Sequence, residues 1–324
     1  MKAYELSSYT GPSGLKLAET EAPQPGKDEL LIEVAAIGVN FPDLLLTRGQ
    51  YQLKPELPCI PGCEVAGTVL DSPPGSGWVP GDRVSAFIWK GAFAEQAVVP
   101  VATASPIADN VSFTDAAATI VNYQTVMFAL DRRAKLQPGE TVLVLGAAGG
   151  IGTAAVQIAK GMGARVLAGV ATEEQTEVAS SAGADDVITL EPGYSATVKA
   201  LMGRGIDVVV DPLGDWLFDE AIRCLEPEGR VVVVGFAAGQ IPTVAVNRLL
   251  LRNVAVIGAA FGAFLDREPE LVATQARRIA EFTDAGTVAP QIDGVYKFAE
   301  LPHALERLGR GEVRGKAVVS MERE

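Results

Sequence analysis

The hydrophobic pattern changes period along this chain. Up to about residue 115 the apolar runs are short: Glu29 to Val34, Glu64 to Leu70 and Phe93 to Val99 are separated by "PQPGKD", "DSPPGSG" and "VPGDR". Runs of that length bounded by Pro and Gly clusters predict an irregular β domain. A helix is predicted to begin at Thr114. After it, strand-like runs at 141–145, 165–170, 206–210 and 231–236 alternate with helical segments near 153–162, 173–182 and 216–225. This alternation predicts an α/β fold with a doubly wound parallel sheet. Val254 to Ala259 reads as a last strand. The tail from Pro269 onward adds helices and a closing strand, Ala317 to Ser320, and there is no repeat or low-complexity segment.

Thr141 to Ala159 carries no formal charge and is about as long as a bilayer span. The glycines between Gly146 and Gly152, followed by Thr153 and Gln157, would break and polarise such a span. Strand, turn and helix is the better parse, with Thr141 to Leu145 as a buried strand, Gly146 to Gly152 as the turn, and Thr153 to Met162 as a helix burying Ala155, Ile158, Ala159 and Met162. The turn reads Ala147-x-Gly149-x-x-Gly152, a dinucleotide fingerprint with alanine in place of its first glycine. In that reading Gly149 admits a pyrophosphate close to the backbone, Gly152 lets helix and strand pack tightly, and the free N–H groups at the helix start face the phosphate charge.

Composition narrows the class. At 324 residues the chain suits roughly two domains, and 48% hydrophobic with 21% charged residues is ordinary for a globular protein. A net charge of -13 argues against nucleic acid and against an anionic membrane as partner, since both call for a basic face. No charged-then-apolar leader opens the sequence and three cysteines cannot make a full disulfide framework, so the expected location is a reducing cytoplasm.

The segments "GVNFPDLLLTRGQYQLKPELPCIPGCEVAGTV", "PGDRV", "GAFAEQAVVP", "LQPGETVLVLGAAGGIGTAAVQIAKGMGARV", "AGAD" and "GKAVV" together carry a family resemblance over nearly the whole chain. The sequence resembles the zinc-free medium-chain dehydrogenase/reductases of the quinone oxidoreductase type, near the zeta-crystallin and enoyl reductase branches. The resemblance implies a GroES-like substrate domain over 1–118, an inserted Rossmann dinucleotide-binding domain over 119–263, and a return to the substrate domain over 264–324. It also implies a cleft between the domains where hydride passes from NAD(P)H to the substrate.

In the zinc-dependent relatives a cysteine opens the segment that here reads "NFPD", and "GHE" stands where this chain has Gly62-Cys63-Glu64. A catalytic zinc needs Cys, His or carboxylate ligands. The single histidine, His303, lies in the C-terminal helical region, and Cys59 and Cys63 read as buried, inert thiols, so no metal is expected. Without an electrophilic metal, a conjugated acceptor is the natural substrate: in a quinone or an α,β-unsaturated carbonyl the developing charge delocalises onto oxygen, where one or two hydrogen-bond donors suffice. The candidate donors by resemblance are Asn40 and Tyr51, the latter at the position of the proposed proton-donating tyrosine of enoyl thioester reductases. A wall stacked on the nicotinamide is the alternative for Tyr51. Asp43 is read as the cap of the following turn or helix.

The resemblance also implies the cofactor contacts. Ala148, Gly149, Gly150 and Ile151 would hold the pyrophosphate, Thr125 would lie near the nicotinamide carboxamide, and Gly235, Phe236, Ala260 and Phe261 would line the nicotinamide ribose side. Lys316 would neutralise phosphate, or else stand solvated at a strand start. An NAD site expects a carboxylate at the end of the second strand, where this chain has Val170-Ala171-Thr172. Ala171 and Thr172 therefore admit the 2′-phosphate of NADPH. NADH stays open, because Gln175 replaces the lysine, and Leu190 the tyrosine, of the family's NADPH enzymes, while Glu173 and Glu174 would repel a phosphate.

Three functions remain open at this level: an NADPH-dependent reductase of quinones or enones, an enoyl thioester reductase acting on acyl-CoA or an acyl carrier, and a crystallin-like cofactor-binding protein without catalysis. The expected partners are a small conjugated carbonyl or quinone and a second copy of the chain. The homodimer is expected to form through Val254 to Ala259, because an apolar strand left at a sheet edge invites pairing that two-fold symmetry closes.

Overall fold

The computed structural model describes Met1 to Met321. In chain order the strands are β1 (Lys2–Leu6), β2 (Leu15–Glu19), β3 (Glu29–Val39), β4 (Glu64–Asp71), β5 (Arg83–Phe87), β6 (Gln96–Pro100), β7 (Ala104–Pro106), β8 (Thr141–Leu145), β9 (Arg165–Val170), β10 (Asp186–Thr189), β11 (Ile206–Asp211), β12 (Leu225–Val233), β13 (Ala255–Gly258), β14 (Ile292–Lys297) and β15 (Lys316–Ser320). Three helices matter below: α1 (Phe41–Thr47), α2 (Phe113–Met127) and α3 (Gly150–Gly161). The chain forms two compact units. The first is Met1–Val121 with Glu268–Ala276 and the stretch from Ile292 onward; the second is Asn122–Arg267 with Arg277–Gln291.

The first unit is β-rich. Its main sheet runs β14-β15-β3-β4-β5-β7, with β6 also paired to β3, and β1 and β2 form a separate antiparallel pair. β14 and β15 are parallel to each other, whereas β3 is antiparallel to β15, β4 and β6. That makes β3 the spine of the sheet. The run expected over Glu29 to Val34 continues to Val39 because β4 and β15 supply pairing partners for Ala36 and Ile37. The run expected over Phe93 to Val99 begins as strand only at Gln96, since the Phe93 amide turns aside to the Pro61 carbonyl. Leu30, Ile32, Ile37, Val65 and Phe93 have no exposed surface and form the core of this unit.

The second unit holds a six-stranded, wholly parallel sheet in the order β10-β9-β8-β11-β12-β13. Counted from its own first strand this is 3-2-1-4-5-6, the doubly wound dinucleotide order, whose switch point lies between β8 and β11. β8 is buried at every position, as a central parallel strand must be. The run expected over 231–236 is strand over Leu225–Val233, because the Val234 amide bonds the Asp211 carbonyl and the chain then leaves the sheet. The helix expected over 173–182 is a 3-10 turn, Glu173–Gln175, followed by a helix over Thr176–Ser181.

Residues 264–324 do not return to the first unit as one piece, because Arg277–Gln291 packs with the second. Two contacts explain this. The Phe282 ring lies over Gly161 at the end of α3, where a Cβ would meet it at 2.9 Å. Further on, Gln157 brackets the Ala289 peptide: its Nε2 donates to the Ala289 carbonyl at 2.7 Å and its Oε1 accepts the Ala289 N–H at 3.0 Å. The same Oε1 accepts the buried Tyr123 hydroxyl at 2.7 Å. Gln157→Leu is therefore expected to leave the Tyr123 hydroxyl unpaired and to cost about 1–3 kcal/mol. Denaturant unfolding measures it, and a stability within 0.5 kcal/mol of wild type, roughly the scatter of a neutral surface change, contradicts it.

Candidate active site

In the second unit the turn after β8 is shaped by a close approach. A Cβ on Gly152 would lie 2.1 Å from the Gly146 carbonyl oxygen and 2.6 Å from the Ala147 Cα, so only glycine lets α3 sit this near the strand end. Gly149 caps α3 in extended backbone, and the first helical bond runs from the Thr153 amide to the Gly149 carbonyl at 2.8 Å. The amides of Gly150, Ile151 and Gly152 precede that bond and have no intrahelical acceptor. A Cβ on Gly149 would meet the Gly146 oxygen at an ordinary contact distance of 3.5 Å and no other atom within 4 Å. Half-buried amides converging at a helix start are suited to a phosphate group.

Asp211, at the end of β11 on the other side of the switch point, was not singled out in the sequence. Its Oδ1 accepts the amides of Leu213 and Gly214 at 2.9 and 2.8 Å. This pins the loop whose Leu213 side chain lies against Gly146. Its Oδ2 is buried without a partner, and burial pushes the carboxyl up from its ordinary range. At the end of β9 no carboxylate meets the strand: Ala171 and Thr172 are exposed, and the Gln175 Oε1 accepts the Ala171 N–H at 2.9 Å. Thr125 is half-buried on α2.

The first unit carries a buried polar cluster at the turn from β3 into α1. Glu64 has no exposed surface. Its Oε2 accepts from Lys316 Nζ at 2.5 Å and from Asn40 Nδ2 at 2.9 Å, and its Oε1 accepts the Val121 amide at 2.7 Å. Lys316 Nζ also donates to Asn40 Oδ1 at 2.5 Å. Gly38 makes room for this pair, since a Cβ there would lie 2.2 Å from the Glu64 Oε2. Asp43 is not the cap of a following turn: it stands at the third position of α1, whose cap is Asn40, and accepts the Asn40 backbone N–H at 2.9 Å to close a capping box. Burial is the main cause that brings the Asp43 carboxyl to about 7, against the opposing pull of Cys63, Asn40 and Lys316. Tyr51 follows α1, half-buried against the core of this unit, and burial is the main cause that pushes its hydroxyl up to about 12. All three cysteines are buried and free, and burial raises each thiol, so they stay protonated. Among the described residues no three His, Cys, Asp or Glu side chains are grouped so as to hold a metal ion.

The alcohol dehydrogenase GroES-like domain description matches residues 26–109, and the zinc-binding dehydrogenase description matches residues 150–277. Mouse quinone oxidoreductase-like protein 2 is 36% identical over 305 residues, covering 93% of this chain and 87% of its own. The chain belongs to the medium-chain dehydrogenase/reductase superfamily, in its quinone oxidoreductase type. A probable oxidoreductase from Mycobacterium abscessus superposes with a TM-score of 0.91 at 43% identity, over 99% of this chain and 98% of its own. The quinone oxidoreductase of Thermus thermophilus, solved also in complex with NADPH, gives 0.84 at 34% identity over 99% and 100%.

Within this quinone oxidoreductase frame several side chains stand differently from the expectation. Lys316 is not a solvated cation at a strand start; it is 4% exposed and bound to Glu64 and Asn40, because an unpaired carboxylate at that depth would be far costlier. Asn40 is 3% exposed and has both amide hydrogens in use, toward the Gly38 carbonyl and Glu64, so neither is left for a substrate oxygen. Leu190 is core: its methyls lie where a Cβ on Gly169 would be, 2.7 Å away. Phe261 is 4% exposed with its ring on Phe128, while Phe236 and Ala260 are exposed and Gly235 half-buried. Ala148 is buried, and Gly149, Gly150 and Ile151 are half-buried at the turn.

Proposed function

We propose that this protein is an NADPH-dependent oxidoreductase that reduces a quinone or an α,β-unsaturated carbonyl without a metal. The observation that carries the reading is the glycine turn at the switch point of a 3-2-1-4-5-6 parallel sheet, edged by three amides without helical acceptors. Ala148, Gly149, Gly150 and Ile151 hold the pyrophosphate there, and Ala171, Thr172 and Gln175 meet the adenosine ribose end. Thr125, Gly235, Phe236 and Ala260 line the nicotinamide end. Bound NADPH supplies the hydride. Tyr51 then serves as the hydrogen-bond donor to the acceptor oxygen, since Asn40 has no free amide hydrogen. A phenol raised to about 12 is protonated throughout the physiological range and so remains a donor. Two copies pair through β13, which stands at the edge of the sheet with Val256 and Ile257 half-buried; a monomer in light scattering at micromolar concentration contradicts the pairing.

Cofactor choice rests on the strand end at Ala171 and Thr172, which lacks the carboxylate that would bind a ribose diol. Catalytic efficiency is expected to be higher with NADPH than with NADH, and Gln175→Lys is expected to raise the ratio further by placing a cation near the 2′-phosphate. A ratio favouring NADH in the wild type refutes the assignment.

Tyr51→Phe keeps the ring and deletes the donor. For an enone, turnover is expected to fall on the order of tenfold to a thousandfold. For a quinone, whose reduced product takes its protons from water, the fall is smaller. Steady-state kinetics on one substrate of each type checks this, and unchanged turnover on both leaves Tyr51 as a wall and returns the proton to solvent.

A further inference from the structure

Asp211 ends β11, and the loop over 211–215 touches two other segments of the second unit. On one side lies the glycine turn: a Cβ on Gly146 would stand 3.2 Å from the Leu213 side chain, so the leucine packs on the turn itself. On the other side lies the stretch after β12. The amides of Val234, Ala237 and Ala238 donate to the carbonyls of Asp211, Pro212 and Leu213 at 2.8, 3.0 and 3.0 Å, and the Asp215 amide donates to the Gln240 carbonyl at 3.0 Å. These backbone bonds hold residues 234–240 to the loop. A segment fastened on both sides passes its own shape to both.

That shape has to be imposed. Gly214 has φ +69° with ψ -140°, a region essentially open to glycine only, and Asp215 follows at φ +56°, where residues other than glycine are uncommon. A Cβ on Gly214 would also lie 3.0 Å from the Gln240 carbonyl oxygen and 3.0 Å from Phe236 Cδ1. The group that fixes this backbone is the Asp211 carboxyl, whose Oδ1 takes the amides of Leu213 and Gly214 at 2.9 and 2.8 Å. Asp211 has no exposed surface, so water does not compete for those amides.

We propose that Asp211 is a positioning residue for the dinucleotide: by fixing the loop over 211–215 it sets the separation between the glycine turn, which takes the pyrophosphate, and Gly235 and Phe236, which line the nicotinamide end. The proposal rests on the assignment of those two segments to NADPH made above. Leu213 carries the effect to Gly146, and the backbone bonds carry it to 234–240. The adenosine end, met by Ala171, Thr172 and Gln175 after β9, lies across β8 from this loop and is independent of it.

Calorimetric titration of the full chain with NADPH and with adenosine 2′,5′-bisphosphate, which carries the adenosine end alone, tests this. Asp211→Ala is expected to raise the Kd of NADPH on the order of tenfold to a hundredfold and to leave that of the bisphosphate unchanged. Asp211→Asn keeps the Oδ1 acceptor and is expected to bind NADPH as the wild type does. Leu213→Ala is expected to reproduce part of the loss, and the double variant to bind no more weakly than Asp211→Ala alone, because both changes break one path. An NADPH Kd that Asp211→Ala leaves unchanged overturns the proposal, and so does an equal weakening of both ligands, which assigns Asp211 to general stability. Asparagine that binds as poorly as alanine overturns the role of Oδ1. Where Asp211→Ala does not fold by circular dichroism, Leu213→Ala decides, and an unchanged NADPH Kd there also overturns the proposal. The NADPH assignment fails separately, on a wild type that binds no NADPH.

Discussion

Glu64 is a carboxylate with no exposed surface, and the first unit is arranged around satisfying it. Three donors from distant parts of the chain converge on it: the Asn40 amide at the end of β3, the Val121 N–H on α2 and the Lys316 ammonium at the start of β15. Removing one member of a buried charged pair generally costs about 3–5 kcal/mol because the other charge stays behind. The pair thus fixes β15 beside β3 through its charge as well as through its strand register. It also determines what is left over. With Lys316 and Asn40 engaged by Glu64, Asp43 is left as the buried carboxyl without an ion pair of its own.

The second unit depends on a steric constraint instead. Gly152 lies against the backbone of Gly146 and Ala147, at a distance that no side chain permits. From that contact follow the start of α3 at Gly150 and the amides without acceptors. Asp211 then braces the facing loop through Leu213, so the turn is held from both sides of the switch point. The two units build their functional groups by different physics: one by neutralising charge away from water, the other by bringing backbones together.

Much of the second unit was legible beforehand. The runs at 141–145 and 165–170 coincide with β8 and β9, because a fully buried parallel strand is a continuous apolar run and its neighbouring turn is marked by glycine. Strand ends were legible only approximately: β3 extends and β12 stops according to which partners are present, and partners are not written locally.

The amino-acid sequence alone determined the βαβ periodicity, the glycine turn and the absence of a carboxylate at Ala171 and Thr172, because each is encoded within one element or one short motif, and family membership through motifs spread along nearly the whole chain. Only the tertiary structure decided that Lys316 pairs with Glu64, that Leu190 and Phe261 are buried, and that Arg277–Gln291 belongs with the second unit. The reason is separation along the chain. Lys316 and Glu64 lie 252 residues apart, and the free energy of pairing two charges, or of burying a ring, is set by what the fold brings alongside, which local pattern does not specify.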